Sequence, residues 1–363
     1  MTYVLRAEEV GVKITEWYSC IVARSYEEAV LMKEEVKQLL PQMENNDKML
    51  AYYSLVDYRH NMLTSGYNKN ELDEELPQVE ELENLDHTLR YFYYFVSGQH
   101  EFMQERYRSA VKLFSQAERL LEHVNDKAEE AEFYQYTGYM YYRLNQYLLA
   151  SSYMERAKYM YDQLKYVEPA LNCKIVLAFI FQELHNAPKS EVLLLEALKE
   201  AEGKRIMTAQ IYRSLGLNKL SIKDYPEAES YFRRALEIEE HRSISLGAKT
   251  LYNLSNTLFR MGKYDEASIK FKTAKASAEY YGSKEYVARC KVTEGLYLLK
   301  DYSLVDEGIE DLNTYGLDFE LAEVAEEAAD QTEKEGNTTL ALKYLRIAHK
   351  ARLYQNSLGD DQE

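Results

Sequence analysis

One motif recurs along this chain at near-constant spacing, and it restricts the fold more than any other feature. In the clearest copies a small residue is followed 12 positions later by alanine, then by a large side chain four on and a second alanine three beyond. Gly98, Ala110, Phe114, Ala117 and Gly216, Ala228, Phe232, Ala235 are two such sets. Ser255, Ala267, Phe271, Ala274 and Gly138, Ala150, Met154, Ala157 repeat the pattern, and Ala178, Ser190, Leu194, Ala197 form a weaker copy. Two degenerate copies centre on Gly295 and on Ala329 with Gly336, Ala341, Leu345 and Ala348. The markers at 98, 138, 178, 216, 255, 295 and 329 stand 40, 40, 38, 39, 40 and 34 residues apart. Periods of this size signal stacked supersecondary units. Small side chains let two antiparallel helices approach where their backbones cross, and the large side chain fills the gap between successive pairs. Gly 14 and Pro 5 among 363 residues leave too few turn-formers for the many hairpins of a β-sandwich or barrel. The sequence therefore predicts an all-α chain.

The period and residue types resemble the tetratricopeptide repeat, with longer loops than its minimal unit. That resemblance implies about seven repeats in a right-handed superhelix, the first helix of each pair lining a concave wall. Inner-wall positions then fall at Tyr136, Ser214 and Asn253, with Asn256, Asn218, Arg213 and Glu183 nearby. An asparagine amide both donates and accepts, which suits it to hold the main chain of an extended peptide.

The charge balance, Lys+Arg 44 against Asp+Glu 61, is −17 and argues against a phosphate-backbone binder, which needs clustered positive charge. The 34 tyrosines read as core and inter-repeat filler rather than as a stacking platform for bases. No run of about 18 uncharged apolar residues is present, and the N-terminus carries Glu8 and Glu9 where a signal peptide is basic, then apolar. A cytoplasmic protein is expected. Cys20, Cys173 and Cys290 lie far apart with no C-x-x-C, which reads as separate thiols with no metal site.

Residues 1–65 lie outside the repeat. Val10, Ile14, Trp17 and Ile21 share one helical face, Ser25 to Glu28 read as a capping box opening a second helix with Ala29, Met32, Val36 and Leu39 inward, and Pro41 ends or kinks it. A third helix starts near Asp47, completing a three-helix bundle. Residues 66–88 read as an acidic linker and hinge with Glu71, Asp73, Glu74, Glu75, Glu80, Glu81, Glu83 and Asp86, and 89–363 as the repeat domain.

The stretch Tyr52-Tyr53-Ser54-Leu55-Val56-Asp57-Tyr58-Arg59-His60, with Thr15-Glu16-Trp17-Tyr18 before it and Glu129-Glu130-Ala131-Glu132-Phe133 after it, resembles the Rap family of response-regulator aspartate phosphatases. The resemblance covers essentially the whole chain. It implies a bacterial regulator of sporulation or competence type that binds a response regulator through its bundle and adjoining repeats. It also implies control by a short Phr-type peptide in the concave groove. No cofactor belongs to the chain itself; the magnesium of the phosphatase reaction sits on the response regulator. No direct nucleic-acid or membrane contact is implied.

Two departures bear on activity. The family's water-orienting Gln falls at Asp47, whose carboxylate has no N–H and repels both hydroxide and phosphoryl oxygens. Asn45 and Asn46 are neighbouring amides, but adjacent helical residues point about 100° apart and Asn is shorter than Gln. In the groove a family Asn falls at Ser214 and another at Ile180, while an acid is kept as Glu183. His60, lacking a carboxylate at helical spacing, reads as a packing or hydrogen-bonding residue. Sequestration of a regulator is the leading expectation. A working phosphatase using Asn46 or another amide, and a generic peptide-binding scaffold, are the alternatives.

Overall fold

The computed structural model describes residues 4–64, 85–104 and 106–357. Three helices open it: α1 (Ala7–Val22), α2 (Tyr26–Leu39) and α3 (Asp47–Thr64). Helix pairs follow among the described residues: α4 (His87–Met103) with α5 (Tyr107–Glu118), α6 (Lys127–Arg143) with α7 (Tyr147–Leu164), and α8 (Val167–Glu183) with α9 (Ala187–Glu200). Next come α10 (Arg205–Ser221) with α11 (Tyr225–Glu237), a four-residue helix α12 (Glu239–Arg242), and α13 (Ser245–Arg260) with α14 (Tyr264–Tyr280). The last are α15 (Lys284–Thr293), extended by a π-helical turn Glu294–Leu299, with α16 (Tyr302–Thr314), and α17 (Asp318–Lys334) with α18 (Thr338–Ser357). The described residues contain one isolated bridge, Leu5 to Met43, and no longer β-structure.

Each small-residue marker falls in the first helix of a pair, or in the π turn for Gly295. Two glycines show why the position is small. A Cβ on Gly98 would lie 2.6 Å from the Phe114 ring, and one on Gly216 would lie 2.5 Å from the Phe232 ring. Those rings sit 16 residues downstream of their glycines, the spacing read from the sequence. Phe114, Phe232 and Phe271 are buried with their flanking alanines.

The chain forms two compact units, Met1–Met140 with Ser152–Cys173, and Tyr141–Ser151 with Lys174–Glu363. The first holds the bundle together with α4, α5 and most of α6. Val10, Ile14, Trp17 and Ile21 are buried, as are Ala29 and Val36 of α2. Helix α2 ends at Leu39, one residue before the 3-10 turn that contains Pro41. Ser25 stands at its N-cap, yet its side chain makes no capping bond, so the expected capping box is not formed. The preceding Arg24 is left-handed, φ 62°, which sets the chain direction instead. The start of α3 is fastened to the start of α1 by the Leu5 bridge and by Ala7 N–H donating to Glu44 Oε1 at 3.0 Å. The acidic linker falls mostly on residues 65–84, outside the described residues.

A buried charge cluster crosses this unit. Arg59 of α3 pairs with Glu129 Oε2 at 3.5 Å and with Glu132, both on α6, and all three are 1% exposed or less. Arg24 approaches Glu132 at 3.9 Å, Tyr91 donates to Glu129 Oε1 at 2.7 Å, and Tyr18 donates to the same carboxylate. The Arg59 guanidinium lies 4.5 Å from the Tyr18 ring centroid and 5.6 Å from that of Phe95. Burial pushes the Glu129 and Glu132 carboxyls up to about 7. Beside this cluster, Trp17 Nε1 donates to His60 Nδ1 at 3.1 Å, so His60 is a buried hydrogen-bonding residue, as its sequence context indicated.

Candidate functional site

In the second unit, the first helices of the pairs converge on α17. Asn256 of α13 reaches past α15 to Glu327 Oε1 at 2.7 Å, and Arg260 holds Glu327 Oε2 at 2.8 Å. Tyr297, carried by the π turn, donates to Glu327 at 2.9 Å and stacks on Phe259 with centroids 5.3 Å apart. Asn256 Oδ1 accepts from Arg260 Nε at 2.8 Å, so this predicted peptide ligand is engaged at both ends of its amide. Ser214 is buried and donates back to the Gln210 carbonyl at 2.9 Å. Asn218 Nδ2 donates to the Ala187 carbonyl at 3.1 Å, tying α10 to the start of α9.

Asn253 differs. It is buried, and its Nδ2 has no hydrogen-bond partner among the described residues. The same is true of Gln182 Oε1 on α8, and of Arg213 Nε and Asn218 Oδ1 on α10. A buried polar atom left unpaired costs about 1–3 kcal/mol, so these helices offer both donors and acceptors in want of partners. Gln182 escaped sequence reading because nothing in its local pattern marks it; only its neighbour Glu183 stood out.

Glu183 sits among other carboxylates. Burial, with Glu323 and Glu326 adding to it against Arg352 and Tyr147, pushes its carboxyl up to about 7. Its Oε2 is 3.5 Å from the Tyr147 hydroxyl. Cations border this acid set: Arg143 pairs with Glu320, Arg289 with Glu285 at 2.9 Å and with Glu323, and Arg352 with Glu326 at 2.8 Å. His241 of α12 is fully buried beside Arg213. Burial, with the Arg213 charge adding, lowers its ring to about 4. Its Nε2 meets Thr250 Oγ1 at 2.9 Å, while Nδ1 has no partner among the described residues.

The remaining predicted residues lie in the first unit. Tyr136 packs against Phe95, with centroids 5.8 Å apart, and against Phe102 and Phe114. Asn45 and Asp47 are exposed. Asn46 is half-buried, and its Oδ1 accepts the Met49 N–H at 3.0 Å, capping α3. Asp47 opens the first turn of α3 one residue further on. The carboxylate there complements the helix dipole, which gives Asp47 a structural reason of its own. No cluster of three or more His, Cys, Asp or Glu side chains fit for a metal ion occurs among the described residues. Cys173 and Cys290 are buried, and burial pushes the Cys290 thiol up to about 12. No helix of the described residues is long and apolar enough to cross a membrane.

Comparison with known proteins places this geometry. The family described as response regulator aspartate phosphatase H, N terminal, matches residues 4–65, and the tetratricopeptide repeat family matches residues 170–240. Response regulator aspartate phosphatase I of Bacillus subtilis (strain 168) is 28% identical over 94% of this chain and 90% of its own length. A protein of Rhodococcus hoagii named Type II methyltransferase M.CeqI is 36% identical over 98% of this chain, which spans 70% of that relative. The activity in that name stays with that protein. A crystal structure of a Rap protein complexed with competence and sporulation factor superposes with TM-score 0.90 and 26% identity, covering 97% of this chain and 99% of that one. With the bundle, the helix pairs that follow it among the described residues and relatives along nearly its full length, this chain belongs to the Rap family.

Proposed function

We propose that the protein is a peptide-gated regulator that binds a response regulator of the sporulation or competence type and sequesters it without dephosphorylating it. The peptide half of this reading rests on one observation, the buried and unpaired Gln182, Arg213, Asn218 and Asn253 atoms on α8, α10 and α13. A peptide main chain presents alternating N–H and C=O groups, the complement of such a set. Glu183, Ser214 and Asn256 frame the same proposed site. Ser214 and Asn256 act by holding its walls, since their polar atoms already have partners. The relative solved with competence and sporulation factor supports the ligand class.

The sequestration half rests on Asp47. An acid in the place of a water-orienting amide cannot donate to the attacking water, and loss of one such group costs roughly 10²-fold or more in rate. Asn46 keeps its Nδ2, but its oxygen is committed to capping α3. The phosphatase name of the Bacillus subtilis relative favours the second reading, hydrolysis supported by Asn46. In either case the magnesium belongs to the response regulator, and the protein works in the cytoplasm, where such regulators are phosphorylated.

Incubation with a radiolabelled phospho-response regulator separates the readings. Sequestration predicts a stable stoichiometric complex with unchanged decay of the label. Faster decay at substoichiometric protein would overturn it in favour of the phosphatase. Asp47→Gln should create turnover in the otherwise inert protein; if it changes nothing, Asp47 does not occupy the water-orienting position.

A further inference from the structure

Along the first helices of the second unit, one cation stands apart from its neighbours. Lys219 pairs with Glu191 at 2.8 Å, Lys249 and Arg289 with Glu285, and Arg260 with Glu327 at 2.8 Å. Arg213 of α10 makes no ion pair among the described residues. Its Nη2 donates to the Tyr286 hydroxyl of α15 at 3.4 Å, and its buried Nε has no partner among the described residues. That contact places the half-buried guanidinium over the peptide wall, since α10 and α15 both pack on α13.

The surroundings are unfavourable for an unmatched charge. Lys249 lies 4.9 Å and Arg289 5.8 Å from the centroid of the same Tyr286 ring. Glu285 is already shared between Lys249 at 3.7 Å and Arg289 at 2.9 Å, and Arg289 also holds Glu323. A guanidinium left in such a place is best met by a carboxylate, whose two oxygens match its fork of N–H groups.

The unmet groups of the wall are also sorted by kind. On α8, α10 and α13 the donors without partners are Arg213 Nε and Asn253 Nδ2, on α10 and α13. The acceptors are Gln182 Oε1 and Asn218 Oδ1, on α8 and α10. Asn218 presents its oxygen because its Nδ2 donates to the Ala187 carbonyl. At the α8 end Glu183, with Glu323 and Glu326 acting on it, repels a carboxylate.

We infer that Arg213 is the specificity-determining residue of the peptide wall, selecting ligands that bring a carboxylate to α10 and α13 and N–H groups to α8. This rests on the peptide-binding reading proposed above. Two helix-to-helix steps of roughly 8–10 Å separate α8 from α13, which an extended peptide of about six residues covers. The carboxylate has two sources, the C-terminus of the peptide or an Asp or Glu side chain.

The test uses the full-length protein and four pools of six-residue peptides. The pools carry a free C-terminal carboxylate or a C-terminal amide, each with or without Asp and Glu among the coupled residues. Peptides that co-elute with the protein on size exclusion are counted by mass spectrometry. The amide pool without Asp and Glu should be retained at least tenfold less than the best-retained pool. In a chain of net charge −17 a general electrostatic effect would run the other way. Retention of both free-acid pools assigns the C-terminus, and retention of both pools with Asp and Glu assigns a side chain. Arg213→Met should bring the four pools level, and Arg213→Lys should keep part of the preference. The unfolding midpoint of Arg213→Met should be unchanged or raised, because an unmatched cation has gone. Equal retention of all four pools, or a preference that survives Arg213→Met, would overturn the inference and leave the groove a peptide site. A lowered midpoint in Arg213→Met, with the preference lost in Arg213→Lys as well, would assign Arg213 to the fold instead. Retention of no pool would overturn the peptide reading itself, and this inference with it.

Discussion

Asn253 and Asn218 look alike in sequence and differ in what their amides do. Asn218 donates to Ala187 O, so Asn218→Ala should destabilise the fold by about 1–2 kcal/mol, read by urea unfolding. Asn253 Nδ2 has no partner among the described residues, so Asn253→Ala should leave unfolding unchanged or raise it slightly, while weakening peptide binding tenfold or more in calorimetry. Equal losses of stability for both variants would remove Asn253 from the site. Gly216 gives the opposite sort of test. Alanine is the better helix former by roughly 1 kcal/mol, yet a Cβ there meets Phe232 at 2.5 Å. Gly216→Ala should therefore destabilise by about 1–3 kcal/mol, and Phe232→Leu in the same chain should restore part of the loss. The glycine and its ring were legible in the sequence because their spacing repeats. Gln182 and the unpaired state of Asn253 were not, because satisfaction of a buried amide depends on neighbours far away in the chain.

At the scale of elements, the repeat was readable from spacing, and its connections were harder. Several turns between helices hold a left-handed residue that is not glycine: Asn145 (φ 58°), Lys165 (φ 61°), His185 (φ 57°) and Lys223 (φ 60°). Glycine is the usual signal for that conformation, and its absence hid those boundaries. The short α12 and the π turn were also invisible, since neither alters the hydrophobic period enough to notice. Helix α12 carries a pH signature. The unfolded His241 ring has an ordinary pKa near 6.5, and the folded one lies at about 4. Between those values the unfolded chain binds a proton that the folded one refuses. Stability from this group is complete above about pH 6.5 and falls as pH drops toward 4. His241→Gln should flatten that part of the pH–stability curve; an unaltered slope would mean that His241 is not the group responsible.

For the molecule as a whole, the family was legible because the Tyr52–His60 stretch and the Glu129–Phe133 stretch are both distinctive. That Arg59 of the first meets Glu129 and Glu132 of the second was not, since nothing local reveals a pairing across about seventy residues. Replacing Arg59 by alanine leaves Glu129 buried without its cation and Glu132 with only the more distant Arg24, and should destabilise by about 3–5 kcal/mol at pH 8. A carboxyl raised above its unfolded value stabilises most when protonated, so the deficit of Arg59→Ala should shrink as pH falls from 8 to 5. A pH-independent deficit would assign the loss to packing alone. The same cluster dictates where the gene can be cut. A fragment starting after the bundle would inherit Glu129 and Glu132 stripped of Arg59, Arg24 and Tyr18, and its opening helices would adopt a surface the intact chain never presents. Measurements on such a fragment would describe a different object, and the bundle is better regarded as the first course of the masonry than as an attachment to it.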